Sequence, residues 1–456
     1  MLLIVLLSVS AVHAGQIVIT TSDYETGNTA VYDTVSGTFL PNAMGQADQD
    51  VVVVSDGTHA YFIERSYGSL AKYEPTALNT SSLIYHYSVG ANSNPYDAVF
   101  LDEKAYVIRY MSDTILIIDP DTGDPGSFER GTIDISAFDD YGTPEAARGF
   151  YSNGMVYVVL QRLNNWKAEI PGLLLKIDPE TDSVVDINPD MDGVQGCELL
   201  VKNAQYFSLV DDRLYICGHV WGEQTQGIQT VDLSDPALPQ AMVVSESDIG
   251  IDITRMEVFD NAYAILHSAA WKQDEGGSWF QVGAAFWFDP ITGEIGDILP
   301  VPTPEGGAVM VDAIVYVASR DDSAPGIYMV NPADNTLTGD VLRTTLPPSS
   351  MVYIGEEAQT FVAETYDFPV SFSVQAPYPN PFNPITTVSF NIAVGGNVRI
   401  DVFNSAGQMV DTLLNARVSA GMHSVVWNAS ACSSGVYHIR TADSVTAHTV
   451  KVTLIR

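Results

Sequence analysis

Short runs of β-branched and aromatic residues alternate with turn-forming residues along most of the chain. Seven of these runs end in an acidic or amide residue that is followed by a turn, often with Pro, Thr or Gly. The seven copies are VYDTVSGTF (Asp33), KYEPTALNT (Glu74), IIDPDTGDP (Asp119), KIDPETDSV (Asp178), TVDLSDPAL (Asp232), WFDPITGEI (Asp289) and MVNPADNTL (Asn331). Asp and Asn close turns with their side chains, Pro fixes φ and Gly accepts positive φ. A four-stranded propeller blade needs about 40 to 45 residues, and the copies recur at that interval or somewhat longer ones, which predicts an array of similar β-units.

A second strand pattern precedes six of these turns. Its copies are AYFIER (60–65), AYVIRY (105–110), VYVVLQR (156–162), LYICGH (214–219), AYAILH (262–267) and VYVASR (315–320). With an apolar run upstream and one strand after the turn, each unit has the four antiparallel strands of a propeller blade. The first unit lacks a strand. We predict that MVYIG (351–355) and QTFVAE (359–364) supply it and close the ring.

The pattern therefore predicts an all-β fold, a seven-bladed β-propeller over residues 15–365, and this repeat resembles the seven-bladed YVTN-type propellers of exported bacterial proteins. The tetrapeptide that names those proteins is absent, so the resemblance implies an architecture and not a function.

Three cysteines are too few for a disulfide scaffold. Cys197 and Cys217 could pair, but buried unpaired thiols are the preferred interpretation.

The N-terminal segment MLLIVLLSVSAVHA (1–14) predicts a signal peptide. An apolar run leads to the small-residue pattern Val12-His13-Ala14, although the usual basic residues before the run are missing. No other apolar run approaches the roughly 18 residues that a membrane-spanning helix needs, so no transmembrane segment is predicted.

A proline-rich segment separates the propeller from a second β-unit. We assign residues 366–380 to a proline-containing linker, because YPNPFNP (378–384) cannot be helical. Short alternating strands with Gly-containing turns follow, and their spacing predicts a small Ig-like β-sandwich over residues 381–456.

This last unit resembles the type A C-terminal sorting domain of the type IX secretion system, which shares its Ig-like fold with flagellar hook-capping proteins. The matching segments are YPNPFNP, VRIDVFNSAGQMV (398–410), AGMHSVVWNA (420–429) and SSGVYHIR (433–440), with a basic terminal strand. The resemblance implies that the type IX machinery reads this domain and delivers the protein to the outer cell surface or the medium. The implied sorting residues are Pro379, Asn380, Pro381, Phe382, Asn383, Pro384, Gly407, Gly421, Gly435 and Lys451. The alternative is a sandwich that only stabilises the chain.

Charge is distributed unevenly between the two units. The formal net charge is −36; residues 370–456 carry three acidic and five basic side chains, which leaves 53 acids and 15 bases in the rest of the chain. So acidic a body repels nucleic acid and anionic membranes, and neither is expected as a partner.

The second strand of each blade suggests a ligand-binding face. It ends in a basic residue six times, and in a propeller these positions surround the mouth of the channel. Arg148 and Arg255 lie near the start of the preceding strand, at the same face. Aromatic residues follow in the loops of this face, and the longest of these loops are 161–172 and 271–283. The candidate binding residues are Arg65, Arg109, Arg162, His219, His267, Arg320, Trp166, Trp221, Trp271 and Trp279. We hypothesise a carbohydrate or anionic ligand, gripped by arginines and stacked on aromatics. The alternative is that each arginine pairs with a neighbouring acid and only holds the loops together.

Motifs for catalysis and metal binding are absent from the sequence, and we predict neither catalytic residues nor a cofactor. Two acidic clusters, Asp119–Asp124 and Asp190–Gly193, are weak calcium candidates, and capped turns are the preferred interpretation of both.

Three functions therefore stay open for the propeller. The first is a non-enzymatic surface protein that binds a ligand or a partner protein on one face. The second is a secreted polysaccharide lyase or glycosidase, which would need clustered carboxylates, or a base with a metal. The third is a structural or adhesive surface protein. A fold alone does not choose among them.

Overall fold

The computed structural model describes residues 15–46, 48–75, 82–139, 143–188, 190–220, 223–273, 279–321, 323–355, 363–364, 372–374, 377, 379–392, 396–405, 407–418, 421–442 and 447–455. The predicted signal peptide, residues 1–14, lies outside them. The chain forms two compact units, a larger one that ends at residue 365 and a smaller one that follows it.

Within its described residues the larger unit consists of seven antiparallel sheets, which are the predicted blades. Blade 1 begins with β1 (Gln16–Ser22), β2 (Gly27–Asp33) and β3 (Thr38–Gln46). Blade 2 contains β4 (Val51–Ser55), β5 (Ala60–Glu64), β6 (Ser69–Tyr73) and β7 (Leu83–Ser88). Blade 3 contains β8 (Pro95–Phe100), β9 (Ala105–Arg109), β10 (Thr114–Ile118) and β11 (Glu129–Asp134), followed by a 3-10 turn at Ser136–Phe138. Blade 4 contains β12 (Ala146–Ser152), β13 (Met155–Leu160), β14 (Pro171–Asp178), β15 (Ser183–Val184) and β16 (Cys197–Lys202).

The remaining blades follow the same order. Blade 5 contains β17 (Ala204–Val210), β18 (Arg213–Gly218), β19 (Gly227–Asp232) and β20 (Gln240–Ser245), followed by the short helix α1 (Glu246–Ile249). Blade 6 contains β21 (Ile253–Val258), β22 (Ala264–Gln273), β23 (Trp279–Phe288) and β24 (Ile295–Ile298). Blade 7 contains β25 (Ala308–Val311), β26 (Ile314–Ser319), β27 (Gly326–Asn331), β28 (Thr336–Leu337) and β29 (Leu342–Arg343). The last strands of the unit are β30 (Pro348–Ile354) and β31 (Ala363–Glu364).

The ring closes as the sequence predicts. Strand β30 pairs antiparallel with β1, from Gln16 opposite Ile354 to Ile19 opposite Met351. Blade 1 is therefore built from both ends of the propeller chain, with β30 as its first strand and β1 to β3 as the next three. This pairing covers the edge that β1 would otherwise expose.

The repeated turns join the third and fourth strands of the blades because their first residue caps the backbone. In six of the seven turns the side-chain oxygen of the first residue accepts the backbone N–H two residues later, at 2.8 to 3.1 Å; these first residues are Asp33, Asp119, Asp178, Asp232, Asp289 and Asn331. Most of the turn after Glu74 lies outside the described residues. Two of the turns also hold the preceding blade, because Lys72 donates to Pro120 O (3.1 Å) and Lys104 donates to Pro179 O (2.5 Å).

The core consists of apolar layers between successive blades. Side chains alternate along a strand, so each strand serves two layers. In β13, Val156, Val158 and Leu160 pack with residues of blade 3, whereas Tyr157 and Val159 pack with residues of blade 5. Both faces are buried, which explains why the strands read as continuous apolar runs. Each such side chain contributes about 1.5 to 3 kcal/mol of burial free energy. The thiols of Cys197 and Cys217 are buried and unpaired, and Cys432 is also free.

The smaller unit is a two-sheet sandwich. One sheet has the order β32 (Phe372–Val374), β33 (Ile385–Ile392) and β36 (Gly421–Asn428). The other has the order β35 (Met409–Val418), β34 (Gly396–Asn404), β37 (Gly435–Ala442) and β38 (Ala447–Leu454). Strand β32 lies inside the segment for which we predicted a linker. Its three residues pair with the end of β33, a pairing that proline content alone does not indicate.

Candidate functional site

At one end of every blade, the start of the first strand lies beside the end of the second strand. In blade 2 Val51 pairs with Glu64, and in blade 3 Pro95 pairs with Arg109. We call the surface made by these ends of the blades and their loops the loop face. All six predicted basic residues lie on it or next to it: Arg65, Arg109, Arg162, His219, His267 and Arg320.

Arg65 is almost fully buried by protein groups of two blades. Its Nη1 donates to Asp50 Oδ1 at 2.9 Å, and its Nε donates to Asn94 Oδ1 at 3.2 Å. The guanidinium carbon also lies 3.9 Å from the centre of the Tyr96 ring, within cation–π range. Arg65 thus holds the entry of blade 2 against that of blade 3.

The other three arginines also contact oxygen atoms of the protein. These atoms are Val89 O (3.1 Å) and Thr114 O (3.2 Å) for Arg109, Glu198 Oε2 (3.7 Å) for Arg162, and Pro348 O (2.9 Å) for Arg320. Burial lowers the pKa of Arg109 below its usual value. Arg65 and Arg162 contact acids, as the loop-holding alternative describes, whereas Arg109 and Arg320 contact backbone carbonyls. Ligand binding by the arginines stays a prediction.

His267 belongs to a buried charge cluster in blade 6. Its Nε2 lies 2.6 Å from Glu257 Oε2, and its Nδ1 contacts Pro304 O. A carbonyl only accepts, so Nδ1 donates to Pro304 O. Arg255 Nε donates to the other oxygen of Glu257. Burial alone would raise the pKa of Glu257, but the charges of Arg255 and His267 lower it to about 2.

His219 forms a second buried pair, in blade 5. Its Nδ1 lies 3.4 Å from Oε1 of Glu246, the first residue of α1, and that oxygen also accepts the backbone N–H of Ile253 at 2.8 Å. The histidine lines the cavity described below.

The loop face contains a turn with an unusual backbone, which carries Trp166. Asn164 and Lys167 exchange two backbone hydrogen bonds of 2.9 and 3.0 Å, which leaves Asn165 and Trp166 as a two-residue hairpin loop. Both have positive φ, 48° and 65°, as a type I′ turn requires. Asn tolerates this conformation and Gly prefers it, but tryptophan does not. The Trp166 side chain is 50% exposed.

Trp166 stacks on an aromatic pile that starts in blade 3. Its ring lies 6.1 Å from that of Tyr110, with 16° between the planes, and Tyr110 lies 4.5 Å from Tyr96 at 22°. The hydroxyl of buried Tyr110 donates to Gln161 Oε1 at 2.5 Å. Burial raises the pKa of Tyr110 well above its usual value. The exposed tryptophan therefore rests on a fixed base.

A cavity of about 530 Å³ opens beside this turn. Two of the predicted ligand-binding residues, Trp166 and His219, line it together. Residues that the sequence did not single out complete the wall: Leu163, Lys167, Ala168, Glu169, Lys202, Asn203, Val220 and Glu223. Lys202 pairs with Glu223 at 3.1 Å, and Asn164 donates to Glu169 at 2.9 Å.

Within the described residues, the wall of this cavity contains none of the other three predicted tryptophans. Trp271 and Trp279 lie in β22 and β23, so most of the predicted loop 271–283 is strand; their side chains and Trp221 lie outside the described parts.

The first calcium candidate is a capped turn. Asp119 pairs with Arg130 at 2.5 Å, and Asp124 accepts the N–H of Gly126 at 3.0 Å. In the second, Asp190 and Asp192 are both exposed. Among the residues that the structure describes, no three His, Cys, Asp or Glu side chains are grouped as metal ligands.

The proline-rich motif of the smaller unit is locked onto its last strand. Phe382 is buried against Trp427, with ring centres 5.2 Å apart. Its N–H donates to Thr453 O and its carbonyl accepts from Ile455, both at 3.0 Å. Asn380 adds two bonds of 2.9 Å, to Lys451 O and from the N–H of Thr453. The motif and the basic terminal strand are therefore one structural element.

A family comparison covers this unit almost end to end. Residues 376–455 match the family described as the secretion system C-terminal sorting domain. This unit is a type IX sorting domain. The protein is therefore exported, and it is secreted or attached to the outer surface.

The remaining predicted sorting residues occupy turns and strand ends of the sorting domain. Pro379, Asn383 and Pro384 lie beside Phe382, around the Asn380–Pro381 peptide, which is cis. Gly407 adopts positive φ (76°) in the turn between β34 and β35. Gly421 and Gly435 begin β36 and β37, and Lys451 is exposed on β38. Their part in sorting stays a prediction, as does the Ig-like topology.

Several solved structures are similar to this chain. The periplasmic gluconolactonase of Pseudomonas aeruginosa has 9% identity and a TM-score of 0.48, over 75% of this chain and 99% of that one. Apo AztD from Citrobacter koseri has 13% identity and a TM-score of 0.47, over 75% and 98%. Hydrazine synthase of Kuenenia stuttgartiensis has 12% and 0.44, over 65% and 95%. These values are too low to transfer a function.

No curated protein matches the sequence. Within the part of the chain that the structure describes, none of the helices has the length and apolar character needed to cross a membrane.

Sequence reasoning missed the pieces of the site that join separate blades. Tyr96 and Glu257 sit in first strands, where they looked like ordinary strand residues. Lys167 and Lys202 are brought to one cavity from the second-to-third-strand loop and the end of blade 4. Asn165, beside a tryptophan in a loop, was the one local signal of a left-handed turn.

Proposed function

We propose that this exported propeller binds a carbohydrate on its loop face, in the cavity beside Trp166. The observation that carries the proposal is the conformation of Trp166 itself. A bulky side chain at positive φ costs on the order of 1 to 2 kcal/mol. Half of that side chain stays exposed, so its burial on folding offsets the cost only in part. Strain that folding does not need is typical of residues kept for binding.

The aromatic pile suits the flat, apolar face of a sugar ring. Tyr110 and Tyr96 hold the indole from below, and the hydrogen bond from Tyr110 to Gln161 fixes the pile. A rigid aromatic surface provides contact area at little entropic cost, and its edge tolerates polar hydroxyls. The cavity volume of about 530 Å³ lies in the usual range for ligand sites.

The carboxylates of the cavity favour binding over hydrolysis. A glycosidase needs two carboxyl groups aimed at the scissile bond. Here Glu223 pairs with Lys202, and Glu169 accepts from Asn164. Both carboxylates are thus engaged by protein groups.

The test uses the full-length protein on a glycan array, followed by calorimetry with the best polysaccharide. We expect Trp166→Ala to weaken binding about tenfold or more, because it removes a central aromatic contact. Trp166→Phe should retain part of the affinity. Tyr151→Ala is the matched control, since Tyr151 is also half exposed (48%) but lies outside this cavity. Equal binding by wild type and Trp166→Ala would refute the proposal.

A further inference from the structure

Lys167 is the lysine of the cavity wall that has no acidic partner among the described residues. Lys202 already pairs with Glu223, and Glu169 is held by the amide of Asn164. Within the described ranges, no carboxylate lies within salt-bridge distance of the Lys167 ammonium group, and the side chain is exposed.

The backbone fixes where this charge sits. Lys167 closes the hairpin loop by its two hydrogen bonds with Asn164, immediately after Trp166. Trp166 and Lys167 both line the cavity, so a ligand ring that stacks on the indole shares the cavity with the Lys167 side chain. The cavity is also less acidic than its surroundings, since two lysines and one histidine accompany two glutamates in its wall.

We infer that the ligand is an acidic polysaccharide made of uronic acid units, with a sugar ring stacked on Trp166 and its carboxylate bound by Lys167. This inference rests on the proposed carbohydrate-binding function and names the class of sugar. A carboxylate matches the single charge of one ammonium group, and a charge-assisted hydrogen bond is stronger than a neutral one. The acidic body repels a polyanion at long range, but at about 150 mM salt charges separated by more than ~8 Å are screened, whereas a direct contact persists.

The experiment compares polygalacturonate with its carboxyl-reduced form, in which each carboxylate has become a hydroxymethyl group on the same backbone. We expect the wild-type protein to bind the reduced polymer about five- to tenfold more weakly. Lys167→Met should bind polygalacturonate with the same loss and the reduced polymer like wild type. Lys167→Arg, which keeps the charge, should retain most of the affinity. Lys176→Met is the matched control, because it removes the same charge from strand β14, outside the cavity.

Two results would overturn the inference and leave carbohydrate binding intact. One is equal binding of the acidic and reduced polymers by wild type. The other is tight, Lys167-dependent binding of dextran sulfate without binding of polygalacturonate, which would assign the charge to sulfate. By contrast, binding of both polygalacturonate forms that is insensitive to Trp166→Ala would refute the proposed site itself.

Discussion

The two ends of the propeller blades reverse the chain in different ways. On the end with the repeated turns, which we call the turn face, Asp and Asn side chains accept the backbone N–H groups that the turns leave unpaired. On the loop face the turn at Asn164–Lys167 places a tryptophan at positive φ, and nearby Glu145 and Arg162 also have positive φ, 47° and 57°. The loop face also buries charges such as Glu257.

The difference between the two faces separates residues that stabilise the fold from residues that are kept for binding. Where residue type and backbone agree, as at the capped turns of Asp119 and Asp289, the sequence repeats and the fold is its sufficient explanation. Leu238 is an exception on the turn face, with φ of 48°, but its side chain is buried. Where they disagree, as at Trp166, the repeat breaks down and stability is given up. Such disagreement is expected at binding sites.

The largest effect should come from the buried cluster of the loop face. Glu257→Ala leaves Arg255 and His267 buried without their shared acid, and we expect a loss of about 3 to 5 kcal/mol in the free energy of unfolding. Urea unfolding of the full-length protein measures it. A loss below about 1 kcal/mol would mean that the loop face does not depend on this cluster.

A second effect depends on pH. Burial raises the pKa of Glu145 from 4.5 to about 7, although its carboxylate accepts the N–H of Leu163 at 2.7 Å. Folding thus favours the protonated form, so this stabilisation is complete below about pH 4.5 and is lost as pH rises through 7.

The comparison with Glu145→Gln isolates this group from the other acids. We expect the wild type to lose about 1 to 2 kcal/mol relative to the variant between pH 5 and pH 8, after allowance for solvent screening. Parallel stability curves for the two proteins would contradict the prediction.

The turn face should respond less. Asp289→Ala removes the oxygen that caps Ile291 and Thr292 at 2.8 and 2.9 Å. By analogy with helix caps, we expect a cost of about 1 kcal/mol, while Asp289→Asn should be nearly neutral because its amide oxygen accepts the same bonds. Calorimetric melting checks both. A large loss for Asn would show that charge, and not capping, matters here.

The smallest effect tests the strain at Trp166 directly. Trp166→Gly and Trp166→Ala both remove the indole and its stacking, but only glycine adopts positive φ without cost. We therefore expect the glycine variant to be more stable than the alanine variant by about 1 kcal/mol. If alanine proves equal or better, the turn is not strained and the contrast between the faces weakens.

The parts that the sequence could predict are local ones. Asp119 and its counterparts act on residues two positions away, so their pattern is readable along the chain. The register of Arg65 follows from strand alternation in the same way. In contrast, the pile of Tyr96, Tyr110 and Trp166 joins blades 3 and 4, and its members are far apart in the sequence. No local pattern marks such contacts, because they form only when the blades pack.

The sorting domain was predictable for a related reason. Its motif at 378–384 is a continuous segment, and Phe382 pairs with a terminal strand that is equally continuous in sequence. What the sequence did not indicate is that Asn380 uses its side chain to bind that strand. Side-chain bonds between such distant positions leave no spacing signal.

The pairing of β1 with β30 makes completion of the propeller depend on its final segment. A chain that stops before Pro348 would leave the edge of β1 that faces β30 without hydrogen-bond partners, next to an apolar layer open to water. Unfinished or clipped molecules should therefore self-associate or be degraded more readily than the intact ring, in which β30 covers this edge.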